Sequence, residues 1–327
     1  MRIFKKILPF ILCISIVLLT PFAYGKTVTQ SEFPLQTTKQ KMILTLWNID
    51  VFEGGVWSRT EFLSSVASSF AKDGVLIMVV SHTIESAKEM IKKGSFPDML
   101  SFGVGVDFAT EYAQKLPKID FLGGEINSEC YAYPWCVGGY FLISKNEDYE
   151  LIDRLFISQN TFNLPFGVEL DEKLNAKEKI KKAPLDAYTS FLSGGKNDKL
   201  LGTQRDIFRL ERRGVEFYAK PLENFSDIVQ YLSVFAKGER FDECLNFAKF
   251  LTGEKVQKTL DKIGMLSPFF ASSENENLSK LDFKKVAFTV SPFTSTSIIF
   301  NIIDEFWQKN IEVAQFDKFK SVLKRLY

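Results

Sequence analysis

Apolar residues along the chain form short runs of strand length, separated by segments in which they recur at helical spacing. Met42–Trp47, Val75–Val80 and Met99–Phe102 are such runs, which are typical of buried strands. Ser58–Glu61 is a capping box, and apolar residues continue from it at helical spacing as far as Phe70. A second helical segment precedes the third run. Strand–helix–strand–helix–strand order predicts a parallel sheet with right-handed crossovers.

The middle of the chain is less regular. Cys130–Ser144 has the composition of a strand, but we expect Pro134 and the Gly138–Gly139 pair to break it. Further on, Thr203 and Asp206 have the spacing of a second capping box, which predicts the start of a helix.

Alternation returns in the last third of the chain. Ile228–Phe235 is a predicted strand, and Phe241–Leu251 and Glu254–Ile263 are predicted helices. Two closing helices are predicted near Ser295–Lys309 and Gln315–Leu326.

The first 25 residues have the pattern of a secretory signal peptide rather than of folded protein. Basic residues within the first six positions precede the uncharged stretch Ile7–Phe22, and Ala23–Gly25 supplies small residues for cleavage before Lys26. A transmembrane anchor is the alternative. It would need about 20 apolar residues, and Pro9 and Pro21 interrupt this stretch. The signal peptide predicts an exported protein, either periplasmic or at the extracellular cell surface.

Composition narrows the function classes. Cleavage would leave 327 − 25 = 302 residues, enough for two domains. The 40 acidic residues nearly balance the 41 basic ones, so the charge gives no bias toward nucleic acid or an anionic membrane. We therefore expect a soluble surface and no nucleic-acid partner.

The cysteines do not form a disulfide framework. Cys13 lies in the predicted signal peptide, and Ile11 and Leu12 before it do not make a lipoprotein site. Cys244 lies on a helical pattern as a buried core thiol. An extended path would place Cys130 and Cys136 about 20 Å apart, well beyond the about 7 Å that a disulfide needs. We predict thiols at both positions, although export and the intervening proline would permit a bridge.

Loops after the predicted strands carry groups that could bind a ligand. In open α/β sheets, ligands lie beyond the carboxyl ends of the strands, here at 48–59 and Gly103–Asp107. Asp50 and Glu53 could accept hydroxyl hydrogen bonds, and Trp57 offers a flat apolar face. These are groups that a sugar needs. The alternative is that the first loop is only a turn and that Trp57 belongs to the core.

Enzyme motifs are scarce. The chain has no Gly-x-Ser-x-Gly elbow and no Walker A loop, and His82 is its only histidine. The cysteines lack the paired spacing of zinc sites, so neither a cofactor nor a metal is predicted. Because any two of the 40 acidic residues could meet in the folded chain, a secreted glycoside hydrolase stays as the enzyme alternative.

Five groups of segments, in order along nearly the whole mature chain, carry a family pattern: Leu44–Asp50 with Phe52–Gly55, Phe96–Phe102, Tyr131–Tyr140, Leu201–Asp206, and Phe247–Leu251 with Gln257 and Ile263–Met265. Together they resemble extracellular solute-binding proteins of family 1, the carbohydrate-binding type related to maltose-binding protein. None of the segments is a strict signature by itself. Their order along the chain, together with the signal peptide, makes the resemblance.

The resemblance implies an α/β, two-lobed periplasmic-binding-protein fold of type II, the Venus-flytrap arrangement, with the ligand between the lobes. Lobe 1 would comprise residues 26–134 and 229–289, and lobe 2 residues 135–228 and 290–327, after the signal peptide at 1–25. The second lobe is shorter than in maltose-binding protein, which implies a smaller ligand or a more open cleft. The lipoprotein cysteine of Gram-positive relatives is also missing, so the resemblance leaves the mode of surface retention open.

Three segments resemble the crossings between the lobes, at Tyr133–Gly139, Phe225–Gln230 and Val290–Phe293. Trp135, beside Pro134 in the first crossing, is the predicted stacking platform for a sugar, with a hinge-core role as the alternative. The predicted ligand-binding set combines acceptors, a donor and aromatic surface: Asp50, Glu53, Trp57, Phe102, Tyr133, Trp135, Arg205, Phe225 and Phe293.

The function implied is that of a binding protein without catalytic activity. It would take a small ligand, a mono- or oligosaccharide, by lobe closure, and deliver it to the permease subunits of an ABC importer. A monomer is expected. A glycoside hydrolase and a ligand-sensing subunit of a membrane receptor are the alternatives.

Overall fold

The computed structural model describes residues 42–49, 58–71, 74–119, 124–157, 180–181, 187–222, 228–270, 275–281, 291–295 and 297. The chain divides into two units, residues 1–41 and 42–327, and every described residue belongs to the second. The predicted signal peptide and most of the two predicted closing helices lie outside the described residues.

Strands and helices of the described part follow the predicted alternation. The strands are β1 (Met42–Ile49), β2 (Val75–His82), β3 (Met99–Phe102), β4 (Glu125–Ile126), β5 (Glu129–Cys130), β6 (Tyr133–Val137), β7 (Tyr140–Ser144), β8 (Leu155–Ile157), β9 (Ile180–Lys181), β10 (Lys199–Thr203), β11 (Tyr218–Leu222) and β12 (Val229–Val234). The α-helices are α1 (Arg59–Phe70), α2 (Ile84–Lys92), α3 (Ala187–Ser193), α4 (Gln204–Arg212), α5 (Glu239–Leu251) and α6 (Glu254–Gln257).

The first sheet has the order β2-β1-β3-β12-β6. β1 pairs in parallel with both β2 and β3, which confirms the parallel sheet predicted from the alternation. β12 returns antiparallel between β3 and β6. The predicted caps also form: Ser58 Oγ accepts a hydrogen bond from the Glu61 N–H at 3.3 Å at the start of α1.

Helices cover both faces of the first sheet. α1 and α5 pack on one face, where Leu44, Leu63 and Phe247 share one apolar cluster. α2 packs on the other face, where Ala87 joins a second cluster with Trp47. The second half of β1 and all of β3 are buried on both faces, which explains their continuous apolar runs, whereas Leu76 and Met78 of β2 are 45% and 51% exposed.

The second sheet has the order β11-β7-β10-β8-β9. β7 pairs antiparallel with β10 and β11, whereas β8 pairs in parallel with β10 and β9. α3 and α4 contact its strands and bury Phe191, Ile207 and Leu210.

Only Gly138 and Gly139 separate β6 in the first sheet from β7 in the second. The change of sheet therefore lies just beyond the boundary predicted between residues 134 and 135. Gly138–Gly139 ends the strand as predicted, but the prediction that Pro134 also breaks it is wrong. Pro134 lies inside β6 because β6 is one of the two edge strands of this sheet among the described residues, and the register with β12 shifts beside Tyr231, the partner of Pro134.

Candidate functional site

The crossing at Gly138–Gly139 lies beside the ends of several strands in each sheet. We call each of these rows of strand ends an edge of its sheet. The carboxyl ends of β1, β2, β3 and β6 lie together at one edge of the first sheet, as the parallel register requires. In the second sheet, Tyr140 at the start of β7 pairs with Thr203 and with Leu222, the last residues of β10 and β11. Since two residues join Val137 to Tyr140, these edges flank the crossing. We take the region between them as the candidate site.

Residues Ser291–Thr294 lie against the edge of the first sheet. The carbonyl oxygen of Pro292 accepts hydrogen bonds from the N–H groups of Gly105 and Val106, at 3.2 and 3.1 Å. Gly105 has a φ of 106°, a conformation that favours glycine. The ring of Phe293 lies 5.8 Å from that of Phe102, which brings two of the predicted site residues into contact.

A network of buried polar side chains joins the strands near this edge of the first sheet. Ser101 Oγ donates to Asn48 Oδ1 at 2.8 Å, and Trp135 Nε1 donates to Ser101 Oγ at 3.1 Å. Gln230 Nε2 donates to Asn48 Oδ1 at 3.3 Å and to the carbonyl oxygen of Ile49 at 3.1 Å. These polar side chains are buried, so their hydrogen bonds fix the ends of four strands relative to one another.

At the edge of the second sheet, α4 begins directly after the last residue of β10. The Thr203 N–H donates to Asp206 Oδ2 at 3.0 Å, as the predicted capping box requires. Gln204 is fully buried and binds the crossing through both main-chain groups of Gly139. Its N–H donates to the Gly139 carbonyl oxygen at 3.1 Å, and its Oε1 accepts from the Gly139 N–H at 3.0 Å.

Comparison with known proteins identifies the architecture. No protein-family model matches the chain, and no curated protein sequence matches it. A cyclo/maltodextrin-binding protein complexed with maltotetraose superimposes with a TM-score of 0.59 and 12% identity, over 86% of this chain and 96% of that one. The GacH receptor of Streptomyces glaucescens, solved unliganded and with acarbose, gives a TM-score of 0.55 and 16% identity, over 86% of this chain and 98% of that one.

The chain has the two-lobed periplasmic-binding-protein fold. This confirms the predicted fold class. We call the part built on the first sheet the first lobe and the part built on the second sheet the second lobe.

Trp135, the predicted stacking platform, lies inside the first lobe. Its side chain has 0% exposure, and its ring is stacked on Phe62 with centroids 5.8 Å apart and planes 9° from parallel. In this structure the ring has no exposed face, which is the position that the hinge-core alternative predicts. Its closeness to the crossing could be read from the sequence, but β6 is buried on both faces.

Other predicted site residues divide into buried, edge and undescribed positions. Tyr133 points into the first lobe, where its hydroxyl donates to the Pro117 carbonyl oxygen at 2.6 Å and burial raises its pKa to about 12. Phe102 is buried. Arg205 lies half-buried in the first turn of α4, at the edge of the second lobe. Four predicted residues lie outside the described part: Asp50, Glu53, Trp57 and Phe225.

The described cysteines do not have the character of reactive nucleophiles. Cys130, Cys136 and Cys244 are thiols, as predicted, and all are buried. Burial raises the pKa of Cys130 to about 11 and that of Cys244 to about 12, which disfavours the reactive thiolate. His82 Nδ1 lies 3.1 Å from Ser86 Oγ, and burial lowers the pKa of the imidazole.

The described residues contain no cluster of three or more histidine, cysteine or acidic side chains that could hold a metal ion. None of the helices in the described ranges combines the length and the apolar character needed to cross a membrane.

Sequence reasoning missed Gln204 and the network of Asn48, Ser101 and Gln230. The signal was an amide side chain inside a mostly apolar strand, as at Asn48 in β1 and Gln230 in β12. Such a residue, when buried, needs a partner and therefore indicates a specific long-range contact.

Proposed function

We propose that the chain is the extracytoplasmic solute-binding protein of an ABC importer and that it binds a mono- or oligosaccharide between its lobes. The observation that carries the proposal is the pair of sheet edges that flank one two-residue crossing. This arrangement belongs to a fold shared with proteins solved with maltotetraose and with acarbose. Binding would close the lobes without covalent chemistry.

The groups proposed to bind the sugar lie at these edges. Residues 50–57 follow Ile49 directly in the sequence, and Ile49 is at the carboxyl end of β1. We therefore assign Asp50 and Glu53 to the first-lobe side of the site, where their carboxylates would accept hydrogen bonds from the hydroxyl groups of the sugar. Arg205 would donate from the second lobe through its planar guanidinium group. Phe293 is buried against Phe102, with 8% of its surface exposed, and would support this site rather than offer a broad face to the ligand.

The wider role follows from the predicted export signal. The mature chain would act as a monomer in the periplasm or at the cell surface, and the permease subunits of the importer would bind its closed form. No enzymatic activity is proposed. A secreted glycoside hydrolase is the competing function, because any two of the 40 acidic residues could meet in the folded chain.

Thermal unfolding of residues 26–327 tests the proposal. Maltotetraose, acarbose, monosaccharides, amino acids and polyamines are each added in excess. A ligand present at one hundred times its dissociation constant stabilises the folded protein by about 2.7 kcal/mol. We expect at least one saccharide to raise the melting temperature and to be recovered unchanged. Stabilisation by amino acids or polyamines alone would contradict the sugar assignment, and saccharide cleavage in proportion to protein would establish the hydrolase.

A further inference from the structure

Three consecutive residues of the first crossing are held by different parts of the molecule. Val137 and Leu266 exchange two main-chain hydrogen bonds, at 2.9 and 2.8 Å. Leu266 follows the helices that pack on the first sheet, so Val137 is bound to the first lobe. Gly139 exchanges two hydrogen bonds with Gln204 of α4, at 3.1 and 3.0 Å, and is bound to the second lobe. Gly138 lies between these two attachments.

Gly138 has no room for a side chain. A Cβ atom added there would lie 2.5 Å from Gln204 Nε2 and 2.5 Å from Ile228 Cγ2, closer than real contacts allow. Its N–H donates to the Ile228 carbonyl oxygen at 2.7 Å, on the segment that enters β12. The buried amide of Gln204 therefore lies directly over the residue at which the chain passes from one lobe to the other.

We propose that Gly138 is the pivot of the first crossing and that Gln204 is a positioning residue that confines the rotation between the lobes to it. With Gly139 fixed to α4 and Val137 fixed to Leu266, a change in lobe orientation falls on φ and ψ of Gly138. Glycine adopts the widest range of these angles. The inference rests on the proposed function in so far as closure serves ligand binding, but the pivot itself is defined without a ligand.

A second contact of Gln204 gives the proposal a matched control. Its Nε2 lies 3.4 Å from Met265 Sδ, so the side chain also contacts the first lobe. A thioether sulfur is a weak acceptor, whereas the two hydrogen bonds to Gly139 involve main-chain groups. Rotation about Gly138 would change the distance to Met265 and leave the pairing with Gly139 intact.

The test is the distribution of distances between the lobes in ligand-free protein. Spin labels are placed at exposed positions through Ser68→Cys in α1 and Lys196→Cys before β10. The native thiols are buried and should label poorly under native conditions. Gln204→Leu has a similar volume but cannot accept the Gly139 N–H. We expect it to replace one narrow distance peak with a broad distribution, and to accelerate hydrogen exchange at Gly139.

Met265→Leu removes the sulfur and keeps the pairing with Gly139, so its peak should stay narrow. An unchanged peak in folded Gln204→Leu, or equal broadening in Met265→Leu, would overturn the proposal. Gly138→Ala is an independent variant, because its methyl group must displace the Gln204 side chain and so shift the mean distance. An unchanged mean distance between the labels in Gly138→Ala would also contradict the proposal. None of these measurements uses a saccharide, so failure to bind sugar and failure of the pivot are separate results.

Discussion

At the scale of single residues, Asp98 joins three elements of the first lobe through one carboxylate. Its two oxygens accept from Nε and Nη2 of Arg240 on α5, at 2.7 and 2.6 Å, and Oδ2 also accepts from the Thr45 N–H of β1 at 2.7 Å. The hydrogen bond to Asp98 is the main cause of a raised pKa of Arg240. Asp98 precedes β3 directly, so the motif Pro97-Asp98 is explained by packing within the lobe.

Asp98→Asn should therefore destabilise the protein. The amide removes the charge and one of the acceptor oxygens from a nearly buried site, and we expect a loss of about 1–3 kcal/mol of unfolding free energy in urea. Asp107→Asn is the control, because Asp107 pairs with Lys88 at 3.2 Å with both side chains 42% exposed. That change should cost less than about 1 kcal/mol. Equal losses in the two variants would show that Asp98 has no special structural role.

At the scale of elements, β6 combines two tasks in five residues. It pairs with β12 to complete the first sheet, and it supplies the indole that donates to Ser101 in the buried network. The Trp135 carbonyl oxygen also accepts from Gln257 Nε2 at 2.9 Å. The strand is thus tied to α6 and to the carboxyl ends of its neighbours immediately before the crossing.

Trp135→Phe separates the two interpretations of this ring. The variant keeps an aromatic ring against Phe62 and loses the donor to Ser101, so we expect a loss of about 1–2 kcal/mol in stability. If Trp135 is a hinge-core residue, the affinity of the Trp135→Phe variant for a saccharide should differ little from that of the unmodified protein. Trp47→Phe is the matched control at a ring that borders His82. Full stability together with at least about 1 kcal/mol of lost affinity would instead support the stacking platform.

At the scale of the whole molecule, the proposed function predicts a change in shape. Closure of two lobes around a ligand expels water from the region between them and reduces the radius of gyration. Small-angle scattering of residues 26–327, with and without a saccharide that raises the melting temperature, measures this change. A saccharide without thermal effect serves as the control. A constant radius of gyration at saturation would contradict closure.

Much of the fold could be predicted because its causes are local. Strand runs, the helical spacing after Ser58 and the break at Gly138–Gly139 depend on neighbours within a few residues. Prediction failed at Pro134 because its tolerance depends on which strand lies at the edge of the sheet. That position is set by pairing with β12, about 100 residues away.

The candidate site depended more on tertiary structure. Sequence by itself determined the order of elements, the caps of α1 and α4 and the loops that follow the strands, because periodicity and hydrogen bonding within a turn are written in adjacent residues. Tertiary structure decided that Trp135 lies inside the core, that the ring of Phe102 contacts that of Phe293 and that Gln204 forms two hydrogen bonds with Gly139. It also brought Gln230 to Asn48, 182 positions apart. The reason is that a strand buried on both faces gives no signal of which partner each side chain meets; only the packing of distant segments settles it.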